Sequence, residues 1–407
     1  MQTSDRRRRE NLRTQTASLS GTNLERAGDY NQRVTLQAIR VHGTITRVDL
    51  AQLTGLTTPA IANITNRLLS EGLIMEVGKQ HGRRGQPAMQ IAIDPDGCFA
   101  IGVNIDRDHV TVVALDFLGN VRARASAQID FALPNDVADF VRKAIDRMFR
   151  QKSLPRDRII GTGVALPDDL GRINLPHRPS SYGVWTTVDI PRLFADILPQ
   201  PLFVENDAAA AAIGELQFGH GLRSTTFFYI LISAALGGGL VIDGTYFRGA
   251  DGRSGEIGFL PLRSRRTEAR SLQEAVSLSA LYQRLHKAGI KVSRPEQLAS
   301  VSAAGKEVID EWVRDAADFL TDPLIAVSCL VNPKAIFIGG RLCSDLVDRL
   351  ADGLNERLKR RSGDVPVIAP VLRAAMAADA PAIGAAILPF TERLLPSRAA
   401  LMKASGG

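Results

Sequence analysis

Between residues 46 and 70 the chain carries helix-start and helix-stop signals so closely spaced that only two short helices around a tight turn fit between them. Thr46 can cap a helix bearing Val48, Leu50 and Leu53, and Gly55 supplies the left-handed residue that ends it. Thr58 followed by Pro59 reads as the next start, a cap and then a first-turn proline. From there Ile61, Ile64 and Leu68 recur on one face, while Ala60, Asn63 and Arg67 recur on another. Upstream, Val34, Leu36, Ile39 and Val41 predict a helix over residues 31–42 that Gly43 stops. Downstream, residues 73–77 and 89–93 predict two strands joined by the basic loop His81-Gly82-Arg83-Arg84-Gly85-Gln86-Pro87.

A second helix with small and polar groups outward suits a DNA major groove. Thr57, Thr58, Pro59, Ala60, Asn63 and Arg67 are the candidate contacts, with Asn63 matched to an adenine edge and Arg67 to guanine or phosphate. Arg83 and Arg84, on a glycine-flanked tip, suit a narrow and strongly negative minor groove. The competing reading is a plain three-helix packing module with a solvated hairpin. Charge favours DNA. Residues 1–90 hold 13 Lys and Arg against 7 Asp and Glu, so nearly all of the net charge of +7 lies in this quarter. A basic module on an almost neutral body implies a polyanion partner for that module alone.

At 407 residues with 45% apolar composition, two or three domains are expected. No apolar run suits a secretory signal or a membrane span. Cys98, Cys329 and Cys343 are odd in number and far apart, which argues against a disulfide framework and fits a reducing cytoplasm. After Pro95 the pattern turns α/β, with strands near 99–104, 110–115, 121–129, 159–165 and 202–205 and a helix from Asp207. A similar series follows from Thr226, so two lobes around a cleft are expected.

Several motifs in order resemble the ROK family of repressors and sugar kinases. They are Gly161-Thr162-Gly163-Val164-Ala165-Leu166-Pro167, Glu205-Asn206-Asp207-Ala208, Gly249-Ala250, Gly255-Glu256-Ile257-Gly258, and Val331-Asn332-Pro333 through Gly339-Gly340. The resemblance implies an N-terminal winged helix-turn-helix followed by a two-lobed, actin-like sugar-kinase (RNase H-like) α/β fold. Expected bounds are a basic tail over 1–28, the winged helix over 29–95, a first lobe over 96–200 with a closing helix near 382–400, and a second lobe over 201–381. Asn206, Asp207, Glu256 and Glu274 would hold a carbohydrate-like effector, with Asp207 at the position of the kinases' catalytic carboxylate.

The chain departs from the kinases where phosphates bind. Kinases of the family carry an aspartate, two glycines and a threonine in the first phosphate hairpin; here it reads Asn104-Ile105-Asp106-Arg107-Asp108. The second loop, Ser233-Ala234-Ala235-Leu236-Gly237-Gly238-Gly239, lacks the family's threonine. Added acids and a lost hydroxyl disfavour a nucleotide, so no catalytic residue is assigned. Phe259 replaces the family's zinc-binding histidine and residues 260–275 hold no cysteine, so no zinc or other cofactor is expected. The expected partners are a double-stranded DNA operator, the effector, and a second copy in a homodimer or homotetramer, with no membrane. A sugar kinase with an appended DNA module, or a regulator sensing a protein partner, are the alternatives.

Overall fold

The computed structural model describes residues 24–80, 88–150, 154–168, 170–172, 178–376 and 379–397. These fall into two compact units, one up to Asp94 joined by the chain from Thr391 onward, the other spanning Pro95–Phe390.

In the first unit, helix α1 (Leu24–His42) precedes strand β1 (Ile45–Thr46), α2 (Arg47–Thr54), α3 (Thr58–Ser70), β2 (Ile74–Gln80) and β3 (Ala88–Ile93). Residues 24–28, read from sequence as tail, are therefore the first turns of α1. Leu36, Ile39, Leu50, Ile61, Leu68, Ile74 and Ile91 are buried. The Thr46 hydroxyl accepts the Asp49 amide at 3.2 Å, and Gly55 ends α2 at φ 70° while its amide reaches Ala51 O. The next cap lies one residue earlier than the sequence reading placed it. Thr57 takes the extended geometry and accepts Ala60 N at 3.4 Å, so Thr58 is already helical and Pro59 sits in the first turn. The three strands form an antiparallel sheet in the order β1-β3-β2, with Gln80 opposite Ala88. The strands flanking the basic loop are thus paired; the loop itself, residues 81–87 with Arg83 and Arg84, lies outside the described residues.

The second unit holds two sheets of one topology. The first contains β4 (Phe99–Ile105), β5 (His109–Asp116), β6 (Val121–Gln128), β7 (Ile159–Leu166) and β8 (Leu202–Asn206), in the order β6-β5-β4-β7-β8. The second contains β9 (Phe227–Ile232), β10 (Leu236–Ile242), β11 (Thr245–Tyr246), β12 (Ala335–Gly340) and β13 (Val371–Arg373), in the order β11-β10-β9-β12-β13. Each is an antiparallel meander extended by two parallel strands, as β4–β7 and β9–β12 pairing shows. The lobe boundary read at 200/201 moves, because β8 pairs in parallel with β7 and completes the first sheet.

Helices α4 (Pro134–Phe149), α5 (Asp207–Phe218), α6 (Leu278–Lys287), α7 (Ala303–Val331), α8 (Ser344–Arg360) and α9 (Ala380–Arg393) complete the second unit's larger elements. The apolar stripe of α4, Val137, Val141, Ile145 and Met148, is buried with β4 and β5 residues in the first-lobe core. Trp312, Leu320 and Leu324 of α7 join Ile230, Ile232 and Ile338 in the second. The closing helix α9 is shorter than the 382–400 expected, ending at Arg393. It lies against the first sheet so closely that a Cβ on Gly163 would come within 1.9 Å of Ala385 O. One on Gly384 would come within 1.7 Å of Ala210 O in α5. Glycine at these points lets α5 sit backbone-to-backbone with α9, which fixes where its N-terminus points.

Candidate functional site

Two regions bring the sequence-predicted residues to a surface or cleft. On α3, Ile61, Thr65 and Leu68 are buried, which turns Thr57, Thr58, Pro59, Asn63 and Arg67 outward; Ala60 is half-buried beside them. Arg67 is held by Glu71 at 2.9 Å, a helical i,i+4 pair, and Glu71 also accepts from Gln32. Asn66, also exposed, was missed by sequence reading although it lies three residues beyond Asn63 on the same helix. Its side-chain oxygen accepts from Arg47, whose Nε donates to the buried Thr65 hydroxyl at 2.8 Å. Arg47 thereby ties α2 to α3, fixing the turn between them.

The second region lies at the β8–α5 junction. Asn206 is the N-cap of α5, its oxygen accepting Ala208 N at 2.9 Å and Ala209 N at 3.1 Å. Asp207 follows, 7% exposed, with Ala208 N donating to its Oδ1 at 2.8 Å. Burial, reinforced by the negative charge of Asp106, pushes the Asp207 carboxyl up to about 7, while Arg107 acts in the opposite direction. Asn206, Asp207 and Glu256 line one small cavity of about 40 Å³ with Arg107, Ser233 and Phe259. Glu274 is not among them. It accepts Arg270 N at 2.8 Å and lines a separate, larger cavity of about 1080 Å³. A third cavity, about 380 Å³, opens on Asn206 from the side of Asp168, Arg172 and Trp185.

The turn between β4 and β5 is the stretch that the sequence reading compares with the kinases' first phosphate hairpin. Its backbone donor at Arg107 is taken by Asp106 Oδ1 at 2.7 Å, and the same carboxylate meets the Arg107 guanidinium at 3.3 Å. Both side chains are almost fully buried. The carbonyls of Arg107 and Asp108 accept from Phe131 N and Ile129 N. The Arg107 amide is thus satisfied by the protein's own carboxylate, and the Arg107 side chain lines the same cavity as Asp207.

Asp106, Asp108 and His109 bring possible metal-ligand atoms within 4.8 Å of one another. Arg107 on Asp106 and Arg341 on Asp108, the latter at 2.6 Å, already supply the counter-charges, so the set does not fit a cation. Although burial works against it, hydrogen bonding from His109 and the charges of His109 and Arg341 hold the Asp108 carboxyl below its ordinary range. The loop after Phe259 is tied by protein groups: Leu262 N to Arg270 O at 2.8 Å, Leu272 N to Leu260 O at 3.0 Å, and Arg266 to Asp318 at 2.7 Å.

The sequence pattern of the ROK family matches residues 100–392, and that of a winged helix-turn-helix DNA-binding domain matches residues 29–75. An uncharacterized protein of Sinorhizobium fredii is 29% identical over 364 residues, covering 88% of this chain and 90% of that one. The xylose repressor of Bacillus subtilis is 24% identical over 233 residues, 57% of this chain and 60% of its own length. Among solved structures, a ROK family transcriptional regulator, a homologue of the Escherichia coli MLC protein, superposes with TM-score 0.65 at 22% identity, covering 91% of this chain and 98% of that one. A ROK hexokinase from Thermus thermophilus superposes with TM-score 0.54 at 22% identity, covering 72% and 98%. Among the described residues, no helix is long and apolar enough to cross a membrane.

Proposed function

The chain belongs to the ROK family, and from that premise we propose that it is a DNA-binding transcriptional regulator of carbohydrate-related genes, a repressor in action, whose kinase-like cleft senses a small effector and performs no phosphoryl transfer. Helix α3 enters the major groove with Asn63, Arg67 and the Thr57–Ala60 start, while Arg83 and Arg84 follow the adjacent minor groove. Asn206, Asp207 and Glu256 form the effector floor; their carboxylates and amide match the hydroxyls of a sugar-like molecule. Glu274 stands apart and serves the wall of the neighbouring cavity. Two copies in a homodimer present two identical readers to a two-fold operator.

The observation that carries the loss of catalysis is the self-satisfied hairpin, in which Asp106 accepts the Arg107 amide. Bringing a triphosphate there would add negative charge beside Asp106 and Asp108 and find that donor engaged. One observation favours a kinase instead. A carboxyl raised to about 7 is well placed to accept a proton at neutral pH.

A thermal-shift screen of the full chain with monosaccharides, sugar acids, sugar phosphates and magnesium-ATP tests the reading, since a ligand selective for the folded state raises the melting temperature. The expected result is a shift with at least one carbohydrate-like compound and none with magnesium-ATP. A nucleotide shift, accompanied by sugar-dependent ATP turnover that Asp207→Asn abolishes, would establish the kinase reading in its place.

A further inference from the structure

At the last residue of β12, Gly340 adopts φ 117° and turns Arg341 toward the first lobe. A Cβ on Gly340 would come within 2.1 Å of Ile232 O, so this approach is open to glycine alone. From there the Arg341 guanidinium meets three groups of the first sheet. It donates to Asp108 Oδ2 at 2.6 Å and to Gln128 Oε1 at 3.0 Å, and lies 3.2 Å from His109 Nδ1. His109 is held in turn, with Asp108 Oδ1 2.7 Å from Nδ1 and Asn104 Nδ2 3.2 Å from Nε2. Arg341 is 11% exposed and Asp108 16%, so solvent screens the pair little.

Among the described residues, two other ion pairs join the lobes. Arg253 reaches Asp168 at 3.1 Å and Arg248 reaches Glu205 at 2.6 Å, in each case an arginine from the second lobe and a carboxylate from the first. Both of these arginines are about half exposed, 48% and 59%, so they contribute less. Arg341 is the least exposed of the three arginines.

We propose that Arg341 is a strut that keeps the two lobes closed by bonding the β4–β5 turn and Gln128, so that closure needs no nucleotide. The strut ties the second sheet to the same hairpin whose Arg107 amide is already occupied. Beside it, Asn104 Oδ1 is buried without a hydrogen-bond partner among the described residues. This goes beyond the regulator reading and stands independently of it, because closure is measured with neither DNA nor effector present.

Hydrogen–deuterium exchange on the ligand-free full chain provides the test. In the wild type, residues 104–109 and 339–343 are expected to be protected. In the Arg341→Gln/Asp108→Asn double variant, both segments are expected to exchange at least tenfold faster while β9 and α7 keep wild-type protection. Arg341→Lys keeps the charge but loses the fork that spans Asp108 and Gln128, and should fall between the two. It also keeps the test decisive if the double variant fails to fold. Wild-type exchange in both segments of the lysine variant, or exchange in only one of them, would overturn the strut.

Discussion

Asp207 is the residue at which chemistry and stability meet. Its carboxyl is raised to about 7 by burial and by Asp106, whereas in the unfolded chain it titrates near the ordinary carboxylate value of about 4. The folded state therefore binds the proton more tightly than the unfolded state. This contribution is fully present below pH 4 and is lost as pH rises through 7. Asp207→Asn keeps the shape and removes the titration. Between pH 5 and pH 8 the wild type is expected to lose a few kcal/mol relative to the variant, read as a larger drop in Tm. Equal drops would show that the Asp207 carboxyl titrates in the folded protein as it does in water. Asp108, held low, acts in the acid range below about 4 and leaves this window clear. Asp207 was visible in the sequence through its Glu205-Asn206-Asp207-Ala208 surroundings. Arg341 was not, because its role depends on a turn at Gly340 and on a partner 233 positions away.

At the level of elements, the glycine-mediated stack of α9 on the first sheet sets the position of α5 and hence of Asn206 and Asp207. Gly163→Ala would place a methyl 1.9 Å from Ala385 O, a backbone atom that cannot rotate away. Overpacking of this kind costs about 1–3 kcal/mol or more, and calorimetric melting should show the loss. Unchanged stability would mean that α9 slides freely on β7. The helices and strands themselves were largely legible, since Gly55 and Thr46 act through local geometry that any sequence window contains. The discrepancies are also local in origin. Adjacent threonines at 57 and 58 offer two possible caps, and only the backbone angles choose Thr57. The lobe boundary was misplaced because β8 is short and its sheet membership rests on pairing with β7, a contact distant in sequence. Likewise, the family resemblance grouped Glu274 with the other three ligand candidates, yet it lines another cavity, where it accepts Arg270 N.

At the scale of the whole molecule, a reader of DNA and a sensor of metabolites in one chain must obey reciprocity: whatever factor the effector changes in operator affinity, the operator changes in effector affinity. In the proposed regulator, the floor of Asn206, Asp207 and Glu256 and the outward face of α3 would be the two ends of that linkage. Nuclease footprinting of the DNA flanking the protein's own gene, with wild type and Asn63→Ala and with each compound that raises the melting temperature, addresses it most directly. The expected pattern is two protected half-sites related by a two-fold axis, weakened about 5- to 150-fold by Asn63→Ala and shifted in midpoint by the effector. Equal protection of unrelated DNA, insensitive to Asn63 and to every compound, would contradict it.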